Sequence, residues 1–156
     1  MASQQEDYLM RILEMMGQML ARITKLRASG LYGEALAMVI DAQEKLFGRP
    51  ASEFASVAVA DQLRLLRLDE SRAVAQGKCL AYASTLKEAG LVYQAQGNES
   101  MAASAFELAL YVTLTIAVEP DASIDELRPQ IAQLLGALPP DQIHAPIREL
   151  LDRIQF

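Results

Sequence analysis

Between Tyr8 and Leu26, apolar residues return at Tyr8, Leu9, Ile12, Leu13, Met16, Met19, Leu20, Ile23 and Leu26. Steps of three and four set them along one side of a helix, and no alternation of period two competes with that pattern. The spacing predicts a first helix from near Gln4 to just before Gly30, a residue suited to a left-handed cap. Arg22, Lys25 and Arg27 fall in its last turns, where the helix dipole favours positive charge. A second helix follows over 33–47, closed by Gly48 and Pro50. The two make a hairpin spanning 4–47.

Pro50 can open an inserted helix over 51–67, with Phe54, Val57, Val59, Leu63 and Leu66 on its apolar side. Asp69 or Ser71 then caps a fourth helix running to about Gln96. Asn98 caps a fifth over 99–118, which Pro120 stops. These two form a second hairpin, 71–118. Ser123 and Glu126 stand at the capping-box spacing S-x-x-E. Pro129 then demands a kink, or a break with a new helix from Pro129 to about Ala137. Pro146 poses the same demand in a last stripe of Ile143, Ile147, Leu150, Leu151 and Ile154. The segment 123–154 therefore reads as C-terminal capping helices, and residues 1–156 as a single all-α domain.

The first helix carries more apolar surface than one partner can cover. Tyr8, Ile12, Met16, Met19 and Ile23 form one row, and Leu9, Leu13, Met16, Leu20 and Ile23 an overlapping second, with Met10 and Met15 beyond. If one face packs on the second helix, the remainder is buried most simply by a two-fold dimer, with Met15 and Met19 as contacts; the alternative is a monomer in which the inserted helix or the C-terminal helices fold back over it.

The stretch "AGLVYQAQGNESMAASAFELAL" holds a longer pattern. Leu86, Ala89, Gly90 and Tyr93, then Ala102, Phe106 and Ala109, match the W-x2-L-G-x2-Y, A-x3-F, A order of a tetratricopeptide hairpin. Gly90 and Ala102 are small where two helices cross closely, Tyr93 and Phe106 fill the space beside them, and Gly97 with Asn98 turns the chain. Gly30, Tyr32, Ala35 and Ala42 repeat part of the pattern 67 residues earlier, about two repeat lengths. Two departures stand out: Leu86 replaces the aromatic start, and the closing proline is delayed to Pro120. With "DYLMRILEMMGQMLARI" and "SGLYGEALAMVIDAQEKLFG" ahead of it, the chain resembles an uncharacterised bacterial family of tetratricopeptide-like all-helical proteins. The resemblance implies a fold and carries no activity or functional residue with it.

Composition narrows the partners. The chain is 52% hydrophobic and 22% charged, with a net charge of −6, so it lacks the cationic excess that nucleic acid or an anionic membrane surface would require. Glu6 and Asp7 stand where a secretory leader would be basic, and the apolar run 108–118 is too short to cross a bilayer. Cys79 is the single cysteine, which excludes an internal disulfide and suits the cytoplasm.

Candidate chemistry is thin. His144 is the only histidine, Cys79 lies mid-helix among apolar residues, and the acidic group Asp121, Asp125 and Glu126 reads as helix capping. Zinc-ligand spacings and phosphate-binding glycine motifs are missing, so no enzyme activity, cofactor or metal is expected. Repeat hairpins bind along the concave face of their first helices, which here offers Thr24, Arg27, Lys87, Leu91 and Gln94. Glu88, Leu91 and Ala95 occupy the places where a carboxylate-gripping clamp would need Asn and Lys. The expected function is a non-enzymatic module that associates with a protein partner, itself included. The alternative is a small-ligand sensor or carrier with a pocket between the hairpins and the inserted helix.

Overall fold

A computed structural model describes residues 2–156, with side chains from Gln4 onward. Among the described residues the regular structure is helical, without a strand. Helix α1 (Ala2–Ala28) starts two residues ahead of the expected Gln4 and buries Met16 and Ile23. It packs on both α2 (Tyr32–Phe47) and α4 (Arg72–Ala95), while Tyr8 and Leu13 of its two apolar rows stay exposed. Met10, 64% exposed, is the main apolar residue left over.

Gly30 turns α1 into α2 with φ +75°, letting Leu31 N–H reach back to the Leu26 carbonyl at 2.9 Å. Gly48, at φ +67°, closes α2 in the same left-handed conformation.

The inserted helix is shorter than its sequence predicts. A 3₁₀ turn (Ala51–Glu53) follows Pro50, and α3 begins only at Val59 and ends at Arg67. The break at 54–58 follows from Phe54, whose ring stacks face to face on Phe47 at 4.0 Å while Tyr82 meets Phe47 edge-on at 5.1 Å. Gln62 Nε2 donates to the Phe54 carbonyl at 2.9 Å, beside the longer bond from Val57 N–H at 3.3 Å, and so ties the broken segment to α3. Tertiary packing of one aromatic ring outweighs the local helical tendency.

Helix α4 contacts α1, α2, α3 and α5, and is accordingly buried on several sides. Ser71 caps it by accepting from Val74 N–H, which decides between the two expected caps; Asp69 sits in the left-handed turn before it at φ +59°. Gly97 (φ +77°) and Asn98 turn α4 into α5 (Glu99–Ala117), Asn98 Oδ1 accepting from Met101 N–H as the motif predicts. Across this crossing the nearest neighbour of Gly90 is the ring of Phe106, where the motif places Ala102.

Helix α5 is long and apolar enough to cross a membrane by length and composition, and half of that stretch is buried inside the fold. Its partners are α4, α6 and α7, which makes it a core helix here. Helix α6 (Ile124–Gly136) runs on through Pro129, so of the two expectations, a kink or a break, the break does not occur. Asp125, whose carbonyl Pro129 leaves without a helical donor, is exposed, so water can replace the missing bond. Ser123 occupies the N-cap of α6 but makes no side-chain cap bond, so the capping box is unformed. After a 3₁₀ turn (Pro140–Gln142), α7 (Ala145–Arg153) places Pro146 in its first turn, where a missing N–H costs nothing.

The core has two parts. The larger reaches α1 through α7, from Met16 of α1 and Leu46 and Phe47 of α2 to Leu66, Leu110, Leu114, Ile131 and Ile147. The smaller, Ile23, Ala35, Val39, Ala89 and Val92, lies between the first hairpin and α4, and Tyr93 packs against both.

Candidate functional site

Of the residues expected on a concave binding face, two are engaged within the fold. Thr24 is exposed, but its hydroxyl turns back to donate to the Leu20 carbonyl of its own helix. Arg27 Nε lies 3.8 Å from Glu88 Oε2, and both atoms are buried without a hydrogen bond. That loose ion pair links α1 to α4 through one nitrogen of the guanidinium. Lys87 is half-buried on the same turn of α4 as Glu88, and Leu91 packs against the larger core. Gln94 lines a separate cleft with Glu99, Phe106 and Leu138. Met15 and Met19 are half-buried and line, with Met38, a groove between α1 and α2 of about 830 Å³, rimmed by Arg22, Asp41, Lys45 and Arg49.

The most apolar opening lies elsewhere. Helices α2 and α5 both pack on α4 and leave a cleft between them of about 270 Å³. Leu36 and Ile40 form one wall, Met101, Ala105 and Leu108 the other, and Leu86, Ala89 and Tyr93 the floor. Ile40 is 47% exposed and Met101 45%, large apolar surfaces left to water. The cleft shares Ser104 and Leu108 with a neighbouring pocket of about 460 Å³, which Val59, Tyr111, Pro146 and Ile147 complete. The two openings lie side by side along a single face of α5, a trough in two parts: Met101, Ser104, Leu108 and Tyr111 recur at steps of three and four.

Polar groups in the trough are few. Gln43 Nε2 donates to Thr85 Oγ1 at 3.1 Å, and Thr85 donates to the Tyr82 carbonyl. At the far end His144, the N-cap residue of α7, donates from Nδ1 to Glu107 Oε1 at 2.6 Å. This pair fastens α7 to α5 and sets an anionic oxygen at the rim of the pocket. Glu107 is the only carboxylate lining either opening, and no Lys or Arg lines them.

Two other polar groupings are internal. Arg67 Nη2 donates to Glu119 Oε1 at 2.6 Å, while Gln76 and Arg72 reach the other oxygen, joining α3, α4 and the end of α5. Burial acts to raise the Glu119 carboxyl, but the bonds from Gln76 and Arg67 and the charges of Arg67 and Arg72 outweigh it and hold it below its usual range. Cys79 is fully buried, and desolvation pushes its thiol up despite the opposing charge of Arg67. Among the described residues no three His, Cys, Asp or Glu side chains are grouped to hold a metal.

The sequence reading places an alternative pocket between the hairpins and the inserted helix, but none of the candidate residues it names lines the trough, although part of the signal is there. The row Met101, Ser104, Leu108, Tyr111 is a helical stripe, but it lies on a helix apolar all round, so the sequence does not distinguish its exposed face from its buried ones. The contribution of α7 depends on tertiary folding. Comparison with protein-family models, with curated proteins and with solved structures yields no match.

Proposed function

We propose that the chain is a tetratricopeptide-like module that works without catalysis, by binding another protein in the trough between α2, α5 and α7. In this reading α1–α2 and α4–α5 are the two repeat hairpins, α3 is the insertion, and α6 and α7 close the end of the stack. A resemblance to bacterial tetratricopeptide-like proteins belongs to the same proposal, as does a cytoplasmic home for a chain whose lone thiol forms no disulfide. The observation that carries it is the open apolar row on the outside of the core, with Ile40 and Met101 each nearly half exposed. Apolar surface of that kind on a folded domain marks a place where something docks.

Affinity capture from the source cell, comparing the native chain with Ile40→Gln/Met101→Gln, tests this reading. Both substitutions are neutral, exposed and compatible with helix. Partners held by the native chain and lost by an equally helical variant support the proposal. An identical set of partners on both removes the trough from consideration.

Self-association is the second reading, favoured by the α1–α2 groove with Met15, Met19 and Met38 on its walls. Methionine surfaces adapt readily to a partner. Sedimentation equilibrium decides it: a single species at the 17.1 kDa monomer mass rejects a dimer.

A further inference from the structure

We infer that the partner enters the trough as an amphipathic helix whose polar face is basic. The inference rests on the association reading above and names the chemistry of the occupant.

The lining argues first for a helix. An extended segment would bring its own backbone N–H and C=O groups against Leu36, Ile40, Met101, Leu108 and Tyr111, and few polar groups there could satisfy them. No strand edge is present among the described residues to pair with such a segment. A helix satisfies its own backbone and needs only an apolar stripe, which a helix-walled trough accepts. From Met101 to Tyr111 the row covers about 15 Å at 1.5 Å per residue, room for about three turns of a helix laid alongside.

Charge then selects the polar face. The lining holds one carboxylate, Glu107, which is paired with His144 and forms no ion pair with Lys or Arg. Only Oε1 of Glu107 is engaged, by His144. The chain as a whole carries −6. The α1–α2 groove, by contrast, mixes both signs, Arg22, Lys45 and Arg49 with Asp41 and Glu44, and so selects neither charge as clearly. A partner helix placing an apolar side chain between Val59, Leu108 and Ile147, with a Lys or Arg beside it, meets the free oxygen of Glu107. An acidic helix would meet repulsion at the same point.

Three synthetic peptides test this: a Leu/Lys helix with segregated faces, its Leu/Glu counterpart, and a scrambled Leu/Lys peptide of the same composition. Binding is read by fluorescence anisotropy of labelled peptide and by amide shifts in the labelled protein. The segregated Leu/Lys peptide is expected to bind alone among the three and to shift signals of Ile40, Leu108 and His144. Glu107→Gln should raise its Kd about two- to fivefold, the size of one exposed charge pair, and the change should shrink with added salt. Ile40→Gln/Met101→Gln should abolish binding while leaving the circular dichroism spectrum unchanged. Equal binding of the acidic or scrambled peptide, shifts confined to the α1–α2 groove, or no binding by any peptide overturns the inference. Should the peptides fail while cellular partners are still lost with Ile40→Gln/Met101→Gln, the association reading stands and only the basic helix falls.

Discussion

Gly90 lies under the ring of Phe106: a Cβ placed on this glycine would sit 2.5 Å from Cε1, 2.6 Å from Cδ1 and 2.9 Å from Cζ of that ring. Real carbon atoms do not approach so closely, and Phe106, buried at the α4–α5 crossing, has little room to yield. Gly90→Ala should therefore destabilise the fold by about 1–3 kcal/mol through overpacking, and Gly90→Leu by at least as much.

Gly17 is the matched control. It stands mid-helix in α1, exposed, with nothing within 4 Å of the position a Cβ would take. Gly17→Ala should stabilise by about 0.5–1 kcal/mol, the helical cost of glycine relative to alanine. Urea denaturation of both variants checks the pair. A Gly90→Ala midpoint at or above that of the native chain would break the account of the crossing.

Legibility followed how locally each feature is encoded. The turns at Gly30, Gly48 and Gly97, and the caps at Ser71 and Asn98, were readable because each depends on a few neighbouring residues. The gap at 54–58 was not, because Phe54 is pulled out of a helical run by Phe47, which lies on another element. At Pro129 the sequence leaves a kink and a break both open, and the helix continues where the carbonyl stranded by the proline belongs to the exposed Asp125. The expected binding face failed to predict that Arg27 is taken up by Glu88, since a pairing between α1 and α4 needs both helices in place. The trough was hidden for the same reason, with walls from α2, α3, α5 and α7.

Cys79 should resist modification. Its side chain is fully buried, and desolvation raises the thiol, so little thiolate is present and less is reachable. A thiol reagent is expected to label the native chain slowly, at a rate limited by opening of the fold, and to label it at once in denaturant. Rapid labelling of the folded protein would contradict this placement of α4.

Glu119 predicts a sensitivity to acid. Its carboxyl is held below the ordinary range in the folded state, so the stability it contributes is fully present above the usual carboxylate pKa and is lost as pH falls through the lowered folded value. Glu119→Gln removes both the gain and its pH dependence. Stability measured from neutral pH downward should show the native chain's advantage over Glu119→Gln narrowing in that window. A constant difference between the two would mean that the bonds to Arg67 and Gln76 do not depend on the charge.

Tyr82 predicts a loss at the alkaline end. Its hydroxyl donates to Gln62 Oε1 at 2.7 Å, and Gln62 in turn donates to the Phe54 carbonyl, so one buried chain of bonds holds the broken segment before α3 against α4. Tyr82→Phe keeps the ring beside Phe47 and leaves the Gln62 oxygen unpaired in the core, at a cost of about 1–3 kcal/mol near neutral pH. Burial pushes the phenol up to about 12 from an ordinary 10.0. Because the folded value is the higher one, the unfolded chain gives up its proton first as pH rises. The contribution is therefore complete below about 10 and disappears between about 10 and 12, with a ceiling of about 3 kcal/mol. Other tyrosines and lysines titrate in the same range, so the informative quantity is the stability of the native chain minus that of Tyr82→Phe at each pH. That difference should fall steadily across the window. If it stays level, Tyr82 ionises as easily in the folded chain as in the unfolded one, and the hydroxyl is not sealed in the core with Gln62.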